Sequence, residues 1–207
     1  MLVILDPAHG GSDSGAHSGL EEGAVEKDLV LSIAQGMRRE LERQGVRVVL
    51  TRQGDANVSI DERAALANSM SMGFFVSLHV GSTGDANTAA TYSFGTPLGS
   101  APPAQQPRPA GVELLRWEDA QAAYVIPSRR LAEFLQAEIA QRLRGSQGVP
   151  QFAQLRQLRV VARPAVAIEL SYVGEENSAE LEKTATPLAA ALLRAITLYR
   201  QPAEARP

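Results

Sequence analysis

Short apolar runs alternate with longer stretches of helical periodicity along most of this chain. Each run is too brief for a helix and is bounded by polar, Gly or Pro positions, which predicts strands at 3–5, 46–51, 74–78, 90–94, 159–162 and 165–170. From Glu26 to Leu41 the apolar residues share one helical face, and Gly45 follows at the usual place for a helix stop. We expect further helices at 61–72, from Ser128 as the N-cap to Gly145, and at 187–199.

This alternation predicts a three-layer α/β domain whose strands pair mainly in parallel. We expect a single domain over residues 1–200 and a frayed tail at 201–207. The stretch 95–127 interrupts the rhythm, because its first part is rich in Pro, Gly, Ala and Gln. Connections of this length are uncommon inside compact domains, so we interpret it as an inserted loop with a short helix at 113–124.

The composition narrows the chemistry. A net charge of −3 and the lack of a basic cluster argue against nucleic-acid binding. The chain has no cysteine, so His and carboxylate side chains must hold any metal. No apolar run approaches the roughly 20 residues that span a bilayer. The chain enters a strand directly after Met1, so we expect no signal peptide within it, and an exported protein would be seen here in its mature form or as an excised domain.

Four polar residues stand where side chains can converge on one metal. His9, His79 and Glu169 lie at the carboxyl ends of predicted strands, where α/β sheets bind ligands. Glu26 lies in the first turn of a helix, where the dipole favours a carboxylate. Two imidazoles and one carboxylate leave zinc a fourth position for water, and a second carboxylate can serve as a general base. The pattern therefore points to metal-assisted hydrolysis.

The same residues belong to an ordered set of motifs that resembles the zinc-dependent N-acetylmuramoyl-L-alanine amidases of the cell-wall amidase type (amidase type 3). The set runs nearly the length of the chain as Asp6-Pro7-Ala8-His9-Gly10-Gly11, Glu26-Lys27-Asp28, Leu50-Thr51-Arg52, Ser77-Leu78-His79 and Pro164-Ala165-Val166-Ala167-Ile168-Glu169. The resemblance implies a twisted, mostly parallel mixed sheet of about six strands flanked by helices. It also implies one Zn²⁺ held by His9, Glu26 and His79, with Glu169 as the catalytic carboxylate. The reaction would cleave the amide that joins N-acetylmuramic acid to L-alanine in peptidoglycan, in the periplasm or outside the cell.

Some positions depart from the family pattern. Ala8 replaces a glycine before the first ligand, where an alanine would resist a positive φ if the turn demanded one. The sequence also differs from the family pattern directly after His79, at Val80-Gly81-Ser82, and directly after Glu169, from Leu170 to Gly174. Some relatives carry a regulatory helix at the place of the 95–127 insertion. We therefore hypothesise that Glu113 to Tyr124 partly covers the zinc, that Glu113 or Glu118 approaches it, and that an activator protein would then be a partner. Deleting residues 97–124 without any change in turnover on soluble muropeptide would contradict this hypothesis.

Plainer interpretations compete with each assignment. A single His at a strand end is more often a hydrogen-bonded structural residue, and Glu26 alone would be an ordinary helix-start carboxylate. Glu169 is harder to explain structurally, because an unpaired carboxylate buried after a strand would be costly. At the level of function the alternatives are a zinc carboxypeptidase or peptidase acting on stem peptides, or a catalytically silent peptidoglycan-binding domain. The presence of Glu169 argues against the silent domain, which would have no use for a base.

Overall fold

The computed structural model describes residues 1–18, 23–85, 87–95, 116–171, 173 and 178–201. Within these ranges one sheet contains six strands, β1 (Leu2–Pro7), β2 (Arg47–Leu50), β3 (Phe74–Val80), β4 (Ala89–Phe94), β5 (Gln151–Ala153) and β6 (Ala165–Leu170). The helices there are α1 (Glu26–Arg43), α2 (Ile60–Ser69), α3 (Val125–Arg142), α4 (Arg156–Arg159), α5 (Ser178–Lys183) and α6 (Ala185–Arg200). The strand order is β2-β1-β3-β6-β4-β5. Only the β4–β6 pair is antiparallel among these neighbours, which confirms the mostly parallel mixed sheet.

Two apolar cores lie on opposite faces of the sheet, which confirms the three layers. Alternate side chains of β1, β3 and β6 point to each face, so their apolar runs are buried on both sides. One core packs Val3, Val76 and Ile168 against α1, α3 and α6. The other packs Ile4 and Phe75, on the opposite face, against residues of α2 and α4. His79 lies one residue along the strand from two buried apolar neighbours, so it points to the α2 and α4 face.

Local signals set the ends of the first two helices. Glu26 and Asp28 lie in the first turn of α1, and Gly45, with φ of +75°, follows its last turn. Helix α2 begins after Ser59, whose hydroxyl accepts the Glu62 N–H at 3.2 Å while the Glu62 carboxylate accepts the Ser59 N–H at 2.8 Å. This reciprocal capping satisfies two of the free amides at the helix start. None of the helices in the described ranges is both long and apolar enough to cross a membrane.

The predicted strand at 159–162 is wrong, and β5 takes its place in the sheet. Residues 156–159 form α4, and the backbone after it has a side chain as its partner instead of a strand. The amide of Asn68 donates to the Val160 carbonyl at 2.9 Å and accepts the Ala162 N–H at 2.7 Å. Val160 is buried in the core beneath α2, so its apolar character reflects packing outside the sheet.

Ser128 is not the N-cap of α3, because the helix begins three residues earlier at Val125. The Ser128 hydroxyl is buried inside the helix, where it donates to Gln121 at 2.7 Å and accepts the Ala165 N–H at 2.9 Å. In place of the predicted helix at 113–124, the described residues 116–124 form two single 3-10 turns. Residues 113–115 and most of the insertion lie outside the described residues, as do 202–207 of the tail.

Candidate metal centre

The fold brings the four predicted site residues to one edge of the sheet. His9 follows β1, and His79 and Glu169 are the next-to-last residues of β3 and β6. These two strands are parallel neighbours, and His79 pairs directly with Glu169. Glu26, the first residue of α1, reaches the same edge of the sheet. The positions predicted from strand ends and a helix start therefore meet in space.

Glu26 lies between the two histidines. Its Oε2 is 3.1 Å from His9 Nε2, and its Oε1 is 3.2 Å from His79 Nδ1. One ligand atom from each of the three residues lies within 4.8 Å of the others. Donors bound to one tetrahedral zinc at its usual bond lengths would be roughly 3.3 Å apart. The two separations from Glu26 are thus close to those that a single ion requires.

The carboxyl group of Glu26 is buried and fully engaged. Besides the two imidazoles, it accepts the N–H of Ala16 at 2.9 Å and that of Val80 at 3.0 Å. Burial alone would raise its pKa, but the hydrogen bonds from His79 and His9 outweigh burial and hold the pKa well below its usual range. Glu26 therefore stays an anion well below the pH at which an ordinary glutamate takes up a proton.

His9 adopts an unusual backbone conformation that its surroundings maintain. Its φ of 61° lies in the left-handed region, which side-chain-bearing residues seldom enter. Gly10 and Gly11 continue the turn with positive φ. Ala8 has no positive φ, so replacing the family's glycine with alanine there causes no backbone strain. Buried Arg63 donates to the His9 carbonyl at 2.6 Å, and buried Arg52 donates to the Ala8 carbonyl at 2.8 Å. These bonds fix the loop that carries the ligand.

Asp13 orients the His9 ring. Its carboxylate lies 2.9 Å from His9 Nδ1, which leaves Nε2 directed at Glu26. The hydrogen bond with Glu26 raises the pKa of His9 above its ordinary value, burial opposes that, and the bond with Asp13 adds to the rise. Histidine ligands of metals commonly give their second ring N–H to a carboxylate in this way. Asp13 was not among the predicted site residues, although its position four residues after a candidate ligand was a usable signal.

The donor set fits a divalent cation. An ionised carboxylate lies between two ring nitrogens, and the three groups are partly or fully buried, with 6% of the Glu26 side chain exposed. The carboxylate oxygens and the two ring nitrogens need positive charge between them. Protons supply part of that charge, and one metal ion would supply all of it. Asp13 beside His9 and Ser77 beside His79 provide outer hydrogen-bond partners for both rings.

A cleft of about 340 Å³ opens beside these residues, and Glu169 lies in its wall. The wall also includes Glu26, His79, Gly81, Tyr92 and Gln157. The Glu169 side chain is exposed to this space, so the expectation that it would be a buried carboxylate is wrong. A Cβ atom on Gly81 would lie 2.9 Å from Glu169 Oε1, so the glycine leaves room for the carboxylate. A second cleft of about 290 Å³ shares Tyr92 and Glu169 with the first.

Two further residues of the cleft were missed by sequence reasoning. Gln157 lies with its Nε2 3.5 Å from His79 Nε2, and it belongs to the segment around the wrongly predicted strand. Tyr92 is half-buried, and burial followed by the charge of Glu169 raises the pKa of its phenol. No local signal distinguishes either residue. Gln157 reaches the cleft only because α4 packs on the sheet, and Tyr92 only because β4 pairs with β6.

The described end of the insertion does not reach the metal residues. Glu118, one of the two acids expected to approach zinc, forms an ion pair with Arg159 at 3.1 Å instead. Trp117 is 44% exposed and donates to Asp61 at the start of α2. Neither residue lines the cleft. Glu113 lies outside the described residues.

Comparisons with known proteins agree with the motif order. The chain is 42% identical over 86 residues to the sporulation-specific N-acetylmuramoyl-L-alanine amidase of Bacillus subtilis, a match that spans 41% of this chain but only 32% of that relative. The fold of this chain is similar to that of an N-acetylmuramoyl-L-alanine amidase from Clostridium difficile 630. The TM-score is 0.66 at 26% identity, with 96% of this chain and 95% of that chain covered. The amidase AmiC2 of Nostoc punctiforme gives a TM-score of 0.67 at 26% identity, with 98% of each chain covered.

The family model described as N-acetylmuramoyl-L-alanine amidase matches residues 3–197, from the first strand to the last helix. That range includes His9, Glu26, His79 and Glu169, and it confirms the family resemblance seen in the ordered motifs. The chain belongs to the N-acetylmuramoyl-L-alanine amidase family.

Proposed function

We propose that this protein hydrolyses the amide bond between N-acetylmuramic acid and L-alanine in peptidoglycan. The observation that carries the proposal is the convergence of His9, Glu26 and His79 beside a cleft that Glu169 also lines. Membership in the amidase family and the fold shared with amidases support the same reaction. Peptidoglycan lies outside the cytoplasm, so the protein would act there, in the periplasm or outside the cell.

The metal in this proposal is zinc. Two imidazoles and one carboxylate, without a thiolate, make the ligand set of many catalytic zinc sites, and three protein ligands leave a coordination position open. When bound, zinc would lower the pKa of a water molecule to about 7 and polarise the scissile carbonyl. His9, Glu26 and His79 would hold the ion, since their donor atoms face one another at the spacing that a single ion needs.

Glu169 would act as the general base and then as the general acid. Its side chain is exposed in the cleft on the strand next to His79, so it can reach both the attacking water and the substrate nitrogen. It would accept the proton of the water as that oxygen attacks the lactyl carbonyl. It would then deliver this proton to the nitrogen of L-alanine, because an amine leaves far more readily once it is protonated. The products are the muramic carboxylate and a stem peptide with a free amino terminus.

The wall of the cleft offers further polar contacts for the substrate. Gln157 on α4 and Tyr92 on β4 line the same cleft as Glu169. An amide side chain and a phenol can hydrogen-bond the peptide groups and hydroxyls of a muropeptide. The second cleft, beyond Tyr92, continues the groove and provides room for the remainder of a substrate longer than the scissile bond.

The decisive experiment is mass spectrometry of purified muropeptide incubated with zinc-loaded protein, beside a chelator-treated control. We expect release of free stem peptide with an N-terminal L-alanine, and we expect chelation to abolish it. Shortened stems still attached to muramic acid would identify a zinc carboxypeptidase or peptidase on this fold. Intact muropeptide bound by zinc-containing protein would identify a silent peptidoglycan-binding domain.

We also propose that an activator protein would be a partner if the 95–127 insertion restrains the site. The test is turnover of the whole chain and of a variant lacking residues 97–124, each on soluble muropeptide. Faster turnover of the shortened variant would support the regulatory role, and unchanged turnover would contradict it.

A further inference from the structure

A buried carboxylate, Asp6, lies directly beneath the metal-binding cluster without belonging to it. It is 2% exposed and accepts three side-chain hydrogen bonds. Thr51 Oγ1 and Arg63 Nη1 donate to its Oδ1 at 2.6 and 2.7 Å, and Ser77 Oγ donates to its Oδ2 at 2.8 Å. Arg63 supplies the opposite charge, which a carboxylate removed from water requires. The group is therefore stable in place and can orient its neighbours.

Ser77 connects this carboxylate to a metal ligand. Its Oγ lies 3.3 Å from His79 Nε2, and the two residues share one face of β3 because they are two positions apart. The hydroxyl proton is directed to Asp6, so only the oxygen lone pairs remain for the histidine. Gln157 Nε2 lies farther from the same ring nitrogen, at 3.5 Å. With Ser77 as the nearer partner, His79 would carry a proton on Nε2 when a metal is bound, and Nδ1 would be the nitrogen that holds the ion.

That nitrogen faces Glu26. Nδ1 of His79 lies 3.2 Å from Oε1 of the Glu26 carboxyl, and without a metal a proton on the ring nitrogen bonds the two. In His9, Asp13 accepts from Nδ1, and Nε2 faces the same carboxylate. A bound cation would take the place of the protons between Glu26 and the two rings, and it would leave the rings in different tautomers, with His79 protonated on Nε2 and His9 on Nδ1.

We infer that Asp6 and Ser77 are positioning residues of the metal centre, which act through hydrogen bonds to fix the orientation and tautomer of His79. This inference rests on the proposed metal site at His9, Glu26 and His79. Arg63 extends the arrangement to the other histidine, because it bonds both the Asp6 carboxylate and the His9 carbonyl. One buried ion pair thus supports both imidazole ligands.

Ser77→Ala tests the inference against a matched control, Thr51→Val. Each change removes one hydroxyl that donates to Asp6, but only Ser77 also contacts His79. Zinc affinity is measured by competition with a chromophoric chelator, so the result does not depend on turnover. Losing an outer hydrogen-bond partner of a metal-bound histidine typically weakens metal binding by roughly 10- to 100-fold. We expect that loss in Ser77→Ala and unchanged affinity in Thr51→Val.

The outcomes separate the inference from the proposed function. Wild-type protein that holds no zinc would overturn both. Zinc binding by the wild type that is equally strong in Ser77→Ala, or equally weakened in both variants, would overturn the inference alone. The reason is that neither result assigns Ser77 a specific link to His79.

A second measurement needs no variant. The chain contains three histidines, so the ring nitrogens of zinc-loaded protein can be assigned by NMR with ¹⁵N-labelled histidine. We expect the proton on Nε2 of His79 and on Nδ1 of His9. A proton on Nδ1 of His79 would overturn the inference even if Ser77→Ala lost zinc, because the hydroxyl could not then be setting the tautomer.

Discussion

His79 and Glu169 are paired residues on the adjacent parallel strands β3 and β6, and both side chains line the same cleft. Paired residues of neighbouring strands point to the same face of a sheet. A proposed metal ligand and a second carboxylate are therefore held side by side by the register of the sheet itself. This relationship gives Glu169 its proposed role, since general acid and base chemistry requires reach to the reacting atoms.

Replacing Glu169 with Gln should stop turnover while leaving metal binding intact. The amide preserves the size of the side chain but cannot accept the proton, which should lower kcat by roughly 10² to 10⁴. Stem-peptide release from muropeptide and zinc content are the two measurements. The control is Glu133→Gln, an exposed glutamate on α3 that lines neither cleft. Retained activity in Glu169→Gln would show that another group is the base.

Gly15 should be essential for the metal site because of its proximity to Glu26 and His9. A Cβ atom on Gly15 would lie 2.5 Å from Glu26 Oε2 and 2.7 Å from His9 Cδ2. Gly15→Ala should therefore displace both groups and strongly weaken zinc binding. Gly45→Ala is a close control, because its φ of +75° is similar to the +68° of Gly15 and nothing lies within 4 Å of its added methyl.

The left-handed backbone alone should cost each glycine variant about 1 kcal/mol of stability. Crowding should add to this loss of stability in Gly15→Ala only. Gly45→Ala should also keep its zinc affinity. Chelator competition and thermal unfolding measure the two effects separately. Equal zinc affinity in both variants would contradict the crowded geometry around Glu26.

The stability of chelator-treated protein should fall as the pH rises above neutral. The pKa of His9 is raised above 6.5, chiefly by Glu26, so its stabilising proton is fully present below pH 6.5 and is lost as the pH passes the raised value. The pKa of Glu26 is depressed below 4.5, so its contribution is present above pH 4.5 and lost as the pH falls towards the depressed value. Together these two groups place the maximum of the unfolding free energy between pH 4.5 and 6.5.

Denaturant unfolding across this pH range measures the effect. The loss on the alkaline side should become smaller in Glu26→Gln, because His9 then keeps only Asp13 to raise its pKa. Zinc should reverse the sign of this pH dependence, since the metal competes with protons and stabilises the protein more as the pH rises. An alkaline loss of unchanged size in Glu26→Gln would assign it to a group other than His9.

Arg52→Lys should destabilise the loop that carries His9. Arg52 donates to the carbonyls of Pro7 at 2.9 Å, Ala8 at 2.8 Å and Lys27 at 2.6 Å, from a largely buried position. A lysine has one compact charged group and cannot reach three separate carbonyls in this geometry. We expect a loss of about 3 kcal/mol in unfolding free energy, because buried acceptors are left unpaired.

The comparison for that variant is Arg38→Lys on the solvent side of α1, where the arginine bonds Glu42 four residues later. Exposed pairs of this kind contribute about 0.5 kcal/mol. Denaturant unfolding of both variants at one pH measures the difference. Similar losses in the two proteins would mean that the Arg52 bonds do not stabilise the loop.

Much of the site could be predicted from the sequence because its signals are local. An apolar run that ends in His or Glu marks the carboxyl end of a strand, and parallel strands bring such ends to one edge of a sheet. His9, His79 and Glu169 satisfied that rule, and the helix that begins at Glu26 added the carboxylate. The order of these motifs along the chain also indicates the family.

Only the tertiary structure decided which groups the backbone segments take as hydrogen-bond partners. The stretch 159–162 has the apolar character of a strand, yet Asn68 bonds its backbone and β5 occupies the edge of the sheet instead. Ser128 resembles a helix cap, yet its hydroxyl is used by Gln121 and Ala165 inside the fold. Local composition cannot distinguish these outcomes, because the competing partner lies far away in sequence.

The outer support of the metal centre was decided in the same way. Asp6 and Ser77 are 71 positions apart, and only the pairing of β1 with β3 brings them within 2.8 Å. Gln157 reaches His79 only because α4 packs beside the sheet. The sequence by itself determined which residues can bind a metal and at which edge they meet. The tertiary structure determined how each of them is oriented, because hydrogen-bond geometry depends on atoms that only folding brings together.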